Sequence, residues 1–434
     1  MKKKQQLSFY FWTVFIFGLI SLFAVYPLAN GDEGYHLSKS YLMFSSEKPE
    51  AMSESCLRGM ELTAISRPKD ISVRRFYKEK LEGVEKDGIE FHLLTDQNFT
   101  LWIDIGHIVP ALGVLLARFV YPSYGVMLIF ARLFNLIFFS CGMVWILKRC
   151  KTNFFTCFMI FTVPFMQKIA SPSYDVFAFL AIAAFGTNFL YLSKFRNFFE
   201  LDKRDLSYSA FTILFLLLTK RNYIFALPAL LGIPMFYGSL LDLFKKSKKR
   251  IRGATLVSAF LVTFFCLFTA HKLFNLKDLF RVFFDNYFNV ATMGGRGLTL
   301  FSVVQDNLPD IVNICWIVCL GLLMLAEDTT SYKLGTVLGG VGAYCLNWFG
   351  IFLGFYIGHP EHLPFDDLTG RYLHAFIILL VPFMAWLGKK MQIRVSDKSI
   401  SRISVSATVS VLILYLLITA YRGYVLGVTP AWKN

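Results

Sequence analysis

The chain has 434 residues, of which 56% are hydrophobic and 17% charged, with 47 Phe and a formal net charge of +15. Soluble domains carry about 25% charged residues, so this composition excludes an ordinary soluble domain and makes the lipid bilayer the chain's solvent. The excess of Lys and Arg belongs to loops facing anionic lipid rather than to nucleic acid, because no basic stripe with interleaved aromatics stands outside the clusters that flank apolar runs.

A helix needs about 20 mostly apolar residues to cross the hydrocarbon core. The first such run is Phe9 to Leu28, preceded by Lys2, Lys3 and Lys4, which put the N-terminus in the cytoplasm. It lacks a small-x-small cleavage site and reads as a retained helix rather than a signal peptide. The polar stretch 30–104 predicts a first external loop with short amphipathic helices. Within 105–121 the stretch Gly106 to Val120 is only about 15 residues long and carries Arg118, which predicts an interfacial or re-entrant helix. Further apolar runs cover 125–147, 153–170, 174–192, 206–219, 223–244, 253–273, 310–326, 334–357, 371–388 and 403–421. In this register the clusters Lys148–Lys151, Lys194–Arg204, Lys245–Arg252, Glu327–Lys333 and Lys389–Arg402 all face the cytoplasm. If 105–121 crossed instead, every later loop would switch sides and the positive-inside pattern would fail. The expectation is an all-α, polytopic transmembrane helix bundle of about 11 spans, a single membrane domain over 1–434, multi-pass in the cell membrane.

Polar groups gather at the ends assigned to the outside. Asp32, Glu33 and His36 follow the first helix and form an acid/base set, or else a helix start in which Asp32 is the cap. Ser171-Pro-Ser-Tyr174-Asp175 occupies an outer turn, where Asp175 taken alone reads as an N-cap or turn former. Lys220 and Arg221 interrupt an apolar stretch on the side that the positive-inside rule leaves poor in cations. A phosphate is an apt partner for them, and snorkelling to lipid headgroups is the plainer alternative. Arg371 opens a helix, where the dipole disfavours a cation placed for stability alone, and bidentate recognition of phosphate explains it better. His359, Glu361, His362 and Asp366 raise the alternative of a divalent metal, but Pro360 breaks the helical face and the expectation is no metal and no cofactor. Gly294-Gly-Arg-Gly297 lacks a strand-loop-helix context and reads as a flexible loop. The cysteines offer no disulfide framework or zinc spacing.

Taken in order, Pro27-x4-Asp-Glu-x2-His36, Ala170-Ser-x-Ser-Tyr-Asp175, Lys220-Arg-Asn-Tyr and Thr369-Gly-Arg-Tyr372 resemble the motifs of the bacterial domain-of-unknown-function family 2142. The resemblance spans nearly the whole chain, with Gly31 where that family usually has Pro before Asp. That family is thought to be similar to the clan-C glycosyltransferases, multispanning enzymes that take a sugar from a polyprenyl-phosphate carrier at the outer membrane face. The resemblance implies the clan-C fold and a catalytic set of Asp32 or Glu33 as base with His36. It also implies a substrate-binding set of Ser171, Tyr174, Asp175, Lys220, Arg221, Arg371 and Tyr372, in which the cations hold the carrier phosphate. The implied partners are a polyprenyl-phosphate-linked sugar donor, a glycan or other envelope polymer as acceptor, and membrane lipid. The rival expectations are a transporter or flippase of an anionic lipid-linked substrate, and a non-catalytic partner in envelope polysaccharide assembly.

Overall fold

A computed structural model describes residues 3–61, 73–92, 101–149, 153–238, 275–289, 308–328, 330–358 and 370–427, without the side chains of 101, 102, 198, 310 and 371. Among the described residues all regular structure is helical. Six helices among these residues are long and apolar enough to cross a membrane: Lys3–Ala24, Ile103–Val120, Tyr124–Arg149, Asp175–Leu192, Leu334–Gly358 and Asp397–Leu426, with a shorter apolar helix at Ile311–Ala326. We number the main elements α1 (Lys3–Ala24), α2 (Glu33–Leu42), α3 (Leu101–Val120), α4 (Tyr124–Arg149), α5 (Phe154–Ile160), α6 (Met166–Ile169), α7 (Asp175–Leu192) and α8 (Lys203–Leu217). They continue as α9 (Leu276–Tyr287), α10 (Asp310–Ala326), α11 (Leu334–Gly358), α12 (Val381–Lys390) and α13 (Asp397–Ala420). The expected span at 253–273, the end of that at 223–244 and the basic cluster Lys245–Arg252 lie outside the described residues.

The central post is α7, with 89% of its length buried. Ala178, Ala181, Ala183, Ala184 and Gly186 let neighbours approach closely, as small residues do where helices pack in lipid. Three expected spans are not continuous helices. Residues 153–170 form α5, a turn at Phe161–Phe165 around Pro164, and α6, with every residue of the segment buried. A proline removes a backbone donor and clashes with the preceding turn, and freed backbone groups are tolerated at membrane depth only inside protein. Residues 221–238 form the 3-10 helix Arg221–Gly232, containing Pro228, and then a short turn of helix. This tight segment lies so close to α11 that a Cβ on Gly339 would stand 2.8 Å from the Gly232 Cα. Residues 371–390 form Arg371–His374, a 3-10 turn at Ile377–Leu380 and α12, with Pro382 near its start.

The two ends of the bundle differ in charge. Lys3, Lys148 and Arg149 surround one cavity with Asn188 and Tyr191 from the C-terminal end of α7. Glu327 accepts the Phe155 and Thr156 N–H groups at 2.8 and 2.6 Å, Asp328 accepts from Asn153 at 2.7 Å, and Ser404 donates to the Phe155 carbonyl at 3.3 Å. The basic stretches beside these residues therefore share one end. At 1.5 Å per residue the 18 residues of α7 span about 27 Å, which carries Asp175 to the other end. There the described residues 30–61 and 73–92 form α2 and the short helices Glu54–Gly59, Val73–Lys78 and Glu82–Glu85.

Helix α3 starts at Leu101 and is longer than the stretch read from Gly106 onward, because Asp104 and His107 find polar partners and are accepted into it. The 30–92 segment holds it at both ends. Lys39 lies 4.0 Å from Asp104, while Arg118 donates to the carbonyls of Phe44 at 2.6 Å and Asp87 at 2.8 Å.

Candidate functional site

The site begins where α1 ends. Gly31 and Asp32 both take left-handed backbone conformations, each with φ of 56°, which turns the chain abruptly into α2. Asp is among the residues that tolerate this region. Successive side chains then diverge. The Asp32 side chain is 52% exposed and lies 3.2 Å from an Arg58 nitrogen, while Glu33 is fully buried. Asp32 occupies the N-cap position of α2 but its side chain makes no capping bond.

Glu33 is bound by a residue that the sequence reading passed over. Arg132, in the middle of α4, donates from Nε and Nη2 to the two Glu33 carboxylate oxygens at 2.8 and 2.7 Å. Its Nη1 also donates to the carbonyls of Leu22 at 2.6 Å and Val25 at 3.1 Å, and Nη2 to Tyr26 at 3.3 Å. A single buried guanidinium thus closes the carbonyl end of α1, fixes the start of α2 and ties both to α4. Both Glu33 oxygens are engaged in this fork, so its carboxylate is placed for structure and Asp32 is the accessible acid of the pair.

On the next turn of α2, His36 enters a cluster of rings. Its Nδ1 lies 2.9 Å from His107 Nε2, and His107 Nδ1 lies 2.9 Å from the Ile103 carbonyl. A carbonyl only accepts, so His107 Nδ1 carries the proton. With both rings neutral, His107 Nε2 then accepts from His36 Nδ1–H, and His36 Nε2 is left as an acceptor. Burial, reinforced by His107 and by the positive charges of Lys168 and Lys220, holds the His36 pKa well below 6.5 against the opposing pull of Asp175. The Tyr174 ring packs edge-on at 5.4 Å from His36, and Gly106 on α3 allows this approach, since a Cβ there would stand 2.6 Å from the Tyr174 Cβ.

Asp175 and Lys220 complete the cluster. The Lys220 ammonium donates to Asp175 Oδ1 at 2.6 Å and sits 5.1 Å from the Tyr174 ring and 5.0 Å from the Tyr372 ring. The partner therefore sought for Lys220 is in part Asp175, held between two aromatic faces. The turn before α7 is pinned by Asn135, whose amide donates to the Ser171 carbonyl at 2.7 Å and the Ser173 carbonyl at 3.0 Å. Lys168, buried on α6, donates to the Asn30 carbonyl at 2.8 Å and so braces the turn that presents Asp32. The Ser171 hydroxyl and the Asn30 side-chain carbonyl are buried there without a hydrogen-bond partner among the described residues, as groups awaiting a ligand or water would be.

His36, Tyr174, Asp175, Lys220 and Tyr372 thus converge, with Ser171 in the turn before Tyr174, while the Asp32 carboxylate four residues before His36 is exposed and lies against Arg58. Arg221 is exposed at the start of its 3-10 helix. The Arg371 side chain, the 359–366 stretch and Gly294–Gly297 lie outside the described residues. Among those described, no group of three or more His, Cys, Asp or Glu could hold a metal ion. Arg132, His107 and Lys168 were the residues missed. Each is an ionisable group inside an apolar run, and such a group is expensive in lipid unless it has a partner, which is the signal that points to them. Compared with known proteins, the chain matches no family model, no curated protein and no solved structure.

Proposed function

We propose that the protein is a membrane glycosyltransferase that moves a sugar from a polyprenyl-phosphate carrier to a cell-envelope glycan or polymer on the outer face of the cell membrane. The observation that carries this reading is the meeting of His36, Tyr174, Asp175, Lys220 and Tyr372, drawn from distant stretches of chain, at the bundle end away from the basic clusters. By the positive-inside rule the basic end is cytoplasmic, and the site then faces outward. On this reading α3 lies along the outer interface. Asp104 near one end and Arg118 near the other are both held by the outer segment, through Lys39 and through the Phe44 and Asp87 carbonyls. The resemblance of the ordered motifs to those of family 2142 points the same way.

In the proposed reaction Asp32 is the base. The acceptor hydroxyl attacks the anomeric carbon, its proton passes to the Asp32 carboxylate, and the bond from that carbon to the phosphate oxygen breaks with its electron pair leaving on phosphate. Lys220, Arg221 and Arg371 take up the growing negative charge. General-base assistance is worth about 10²- to 10⁴-fold in rate. Glu33 is a positioning residue that holds the turn through Arg132, and neutral His36 offers Nε2 to a sugar hydroxyl.

Transport of an anionic lipid-linked substrate is the second reading. The broken helices at 153–170 and 371–390 favour it, since discontinuous helices form substrate sites in transporters. Proteoliposomes given a radiolabelled polyprenyl-phosphate sugar, with a membrane extract as acceptor, separate the two. Labelled polymer that disappears with Asp32→Asn supports the enzyme. Labelled lipid crossing the bilayer with its glycosidic bond intact supports transport and ends the enzyme reading.

A further inference from the structure

At the basic end a cavity of about 170 Å³ opens between α1, α4, α7 and α8, with Lys3, Lys148 and Arg149 on its walls. Beside it, sharing Arg149 and Tyr208, a second hollow of about 580 Å³ adds Lys203 and Arg204 and is walled by Trp145 and Phe211. Among the described residues Asp205 is the one carboxylate lining either hollow, and it is already engaged by Arg149 at 2.7 Å and by the Tyr191 hydroxyl at 2.9 Å. The neighbouring Asp202 caps α8 through the Asp205 N–H at 2.7 Å. Arg149 in turn lies 4.0 Å from the centre of the Tyr208 ring. Lys148, Lys203 and Arg204 are exposed around this neutralised core, so the mouth carries a positive surplus. The apolar wall is exposed as well: Trp145 at 50% and Phe211 at 42%, their rings 5.7 Å apart.

We propose that this double hollow binds an anionic phospholipid, its headgroup phosphate held by Lys148, Lys203 and Arg204 and an acyl chain laid over Trp145 and Phe211. Cations alone would suit a free phosphate. An exposed indole and phenyl joined to them suit a ligand with a charged head and an apolar tail, the chemistry of basic pockets between helices at a membrane surface. The site lies at the opposite end of α7 from Lys220 and is independent of the proposed sugar transfer.

The test uses the full-length protein in phosphatidylcholine nanodiscs doped with phosphatidylglycerol, with retained lipid counted by native mass spectrometry. Preferential retention of phosphatidylglycerol is expected, weakening as salt is raised. The triple variant Lys148→Gln, Lys203→Gln, Arg204→Gln should weaken it about a hundredfold at low salt, from the contribution of each cation near an anionic headgroup. Trp145→Ala should weaken phosphatidylglycerol but not inorganic phosphate. Equal retention of both lipids, salt-insensitive retention, or wild-type retention in the triple variant overturns the proposal. Inorganic phosphate displacing the lipid at equal concentration overturns it in favour of a free-ion site. Asp32→Asn should leave lipid retention unchanged, so the two proposals fail separately.

Discussion

Replacing Glu33 by Gln removes one charge from a fully buried, doubly bonded pair and leaves the Arg132 guanidinium facing an amide that can accept only one of its two bonds. Breaking a buried pair by removing one partner costs about 3–5 kcal/mol, because the other charge stays buried without compensation. Arg132→Met should cost at least as much, since the carbonyls of Leu22, Val25 and Tyr26 lose their donor too. The double variant should be less destabilised than the sum of the two, by on the order of 2–3 kcal/mol, as expected for residues in direct contact. Denaturant titration in detergent micelles, followed by tryptophan fluorescence, gives the cycle. If Glu33 only positions the turn, Glu33→Gln loses stability and activity together. A Glu33→Gln protein as stable as wild type yet inactive would refute this reasoning and return Glu33 to the chemistry.

Asp32→Asn should leave stability within about 0.5 kcal/mol, as for an exposed side chain, while sugar transfer falls about 10²-fold or more; equal transfer by both proteins in a radiolabel assay would remove Asp32 as base. His36 has a depressed pKa, so the unfolded chain binds the proton more readily. Its stabilising contribution is present above about 6.5 and is lost as pH falls below that value, at up to about 1.4 kcal/mol per pH unit. Melting temperatures from pH 8 to 5 should show this slope in wild type and a shallower one in His36→Gln. Gly106→Val should push against Tyr174 and cost about 1–3 kcal/mol, whereas Gly342→Val, where a Cβ meets nothing within 4 Å, should melt near wild type.

Hydropathy made the long, unbroken helices legible. The runs 125–147, 174–192 and 334–357 correspond to α4, α7 and α11 because each is apolar and free of proline. It did not reveal the breaks at 161–165, 221–238 and 371–380. Apolarity measures transfer into lipid, whereas helix continuity depends on backbone donors that prolines remove and on a protein surround that makes the break affordable. The cluster was legible as separate polar motifs at helix ends. Missing were the groups that assemble it, because Arg132, His107 and Lys168 were absorbed into apolar stretches and their partners lie far away in sequence. Asp32 and Glu33 are adjacent in sequence, and only the left-handed turn at Gly31 and Asp32 tells their roles apart.

The most direct measurement is phosphorus NMR of a polyprenyl-phosphate sugar mixed with purified protein and acceptor membranes. The account predicts that the phosphodiester resonance gives way to a phosphomonoester, and that this change is absent with Lys220→Met. An unchanged phosphodiester signal in the presence of active, folded protein would contradict it.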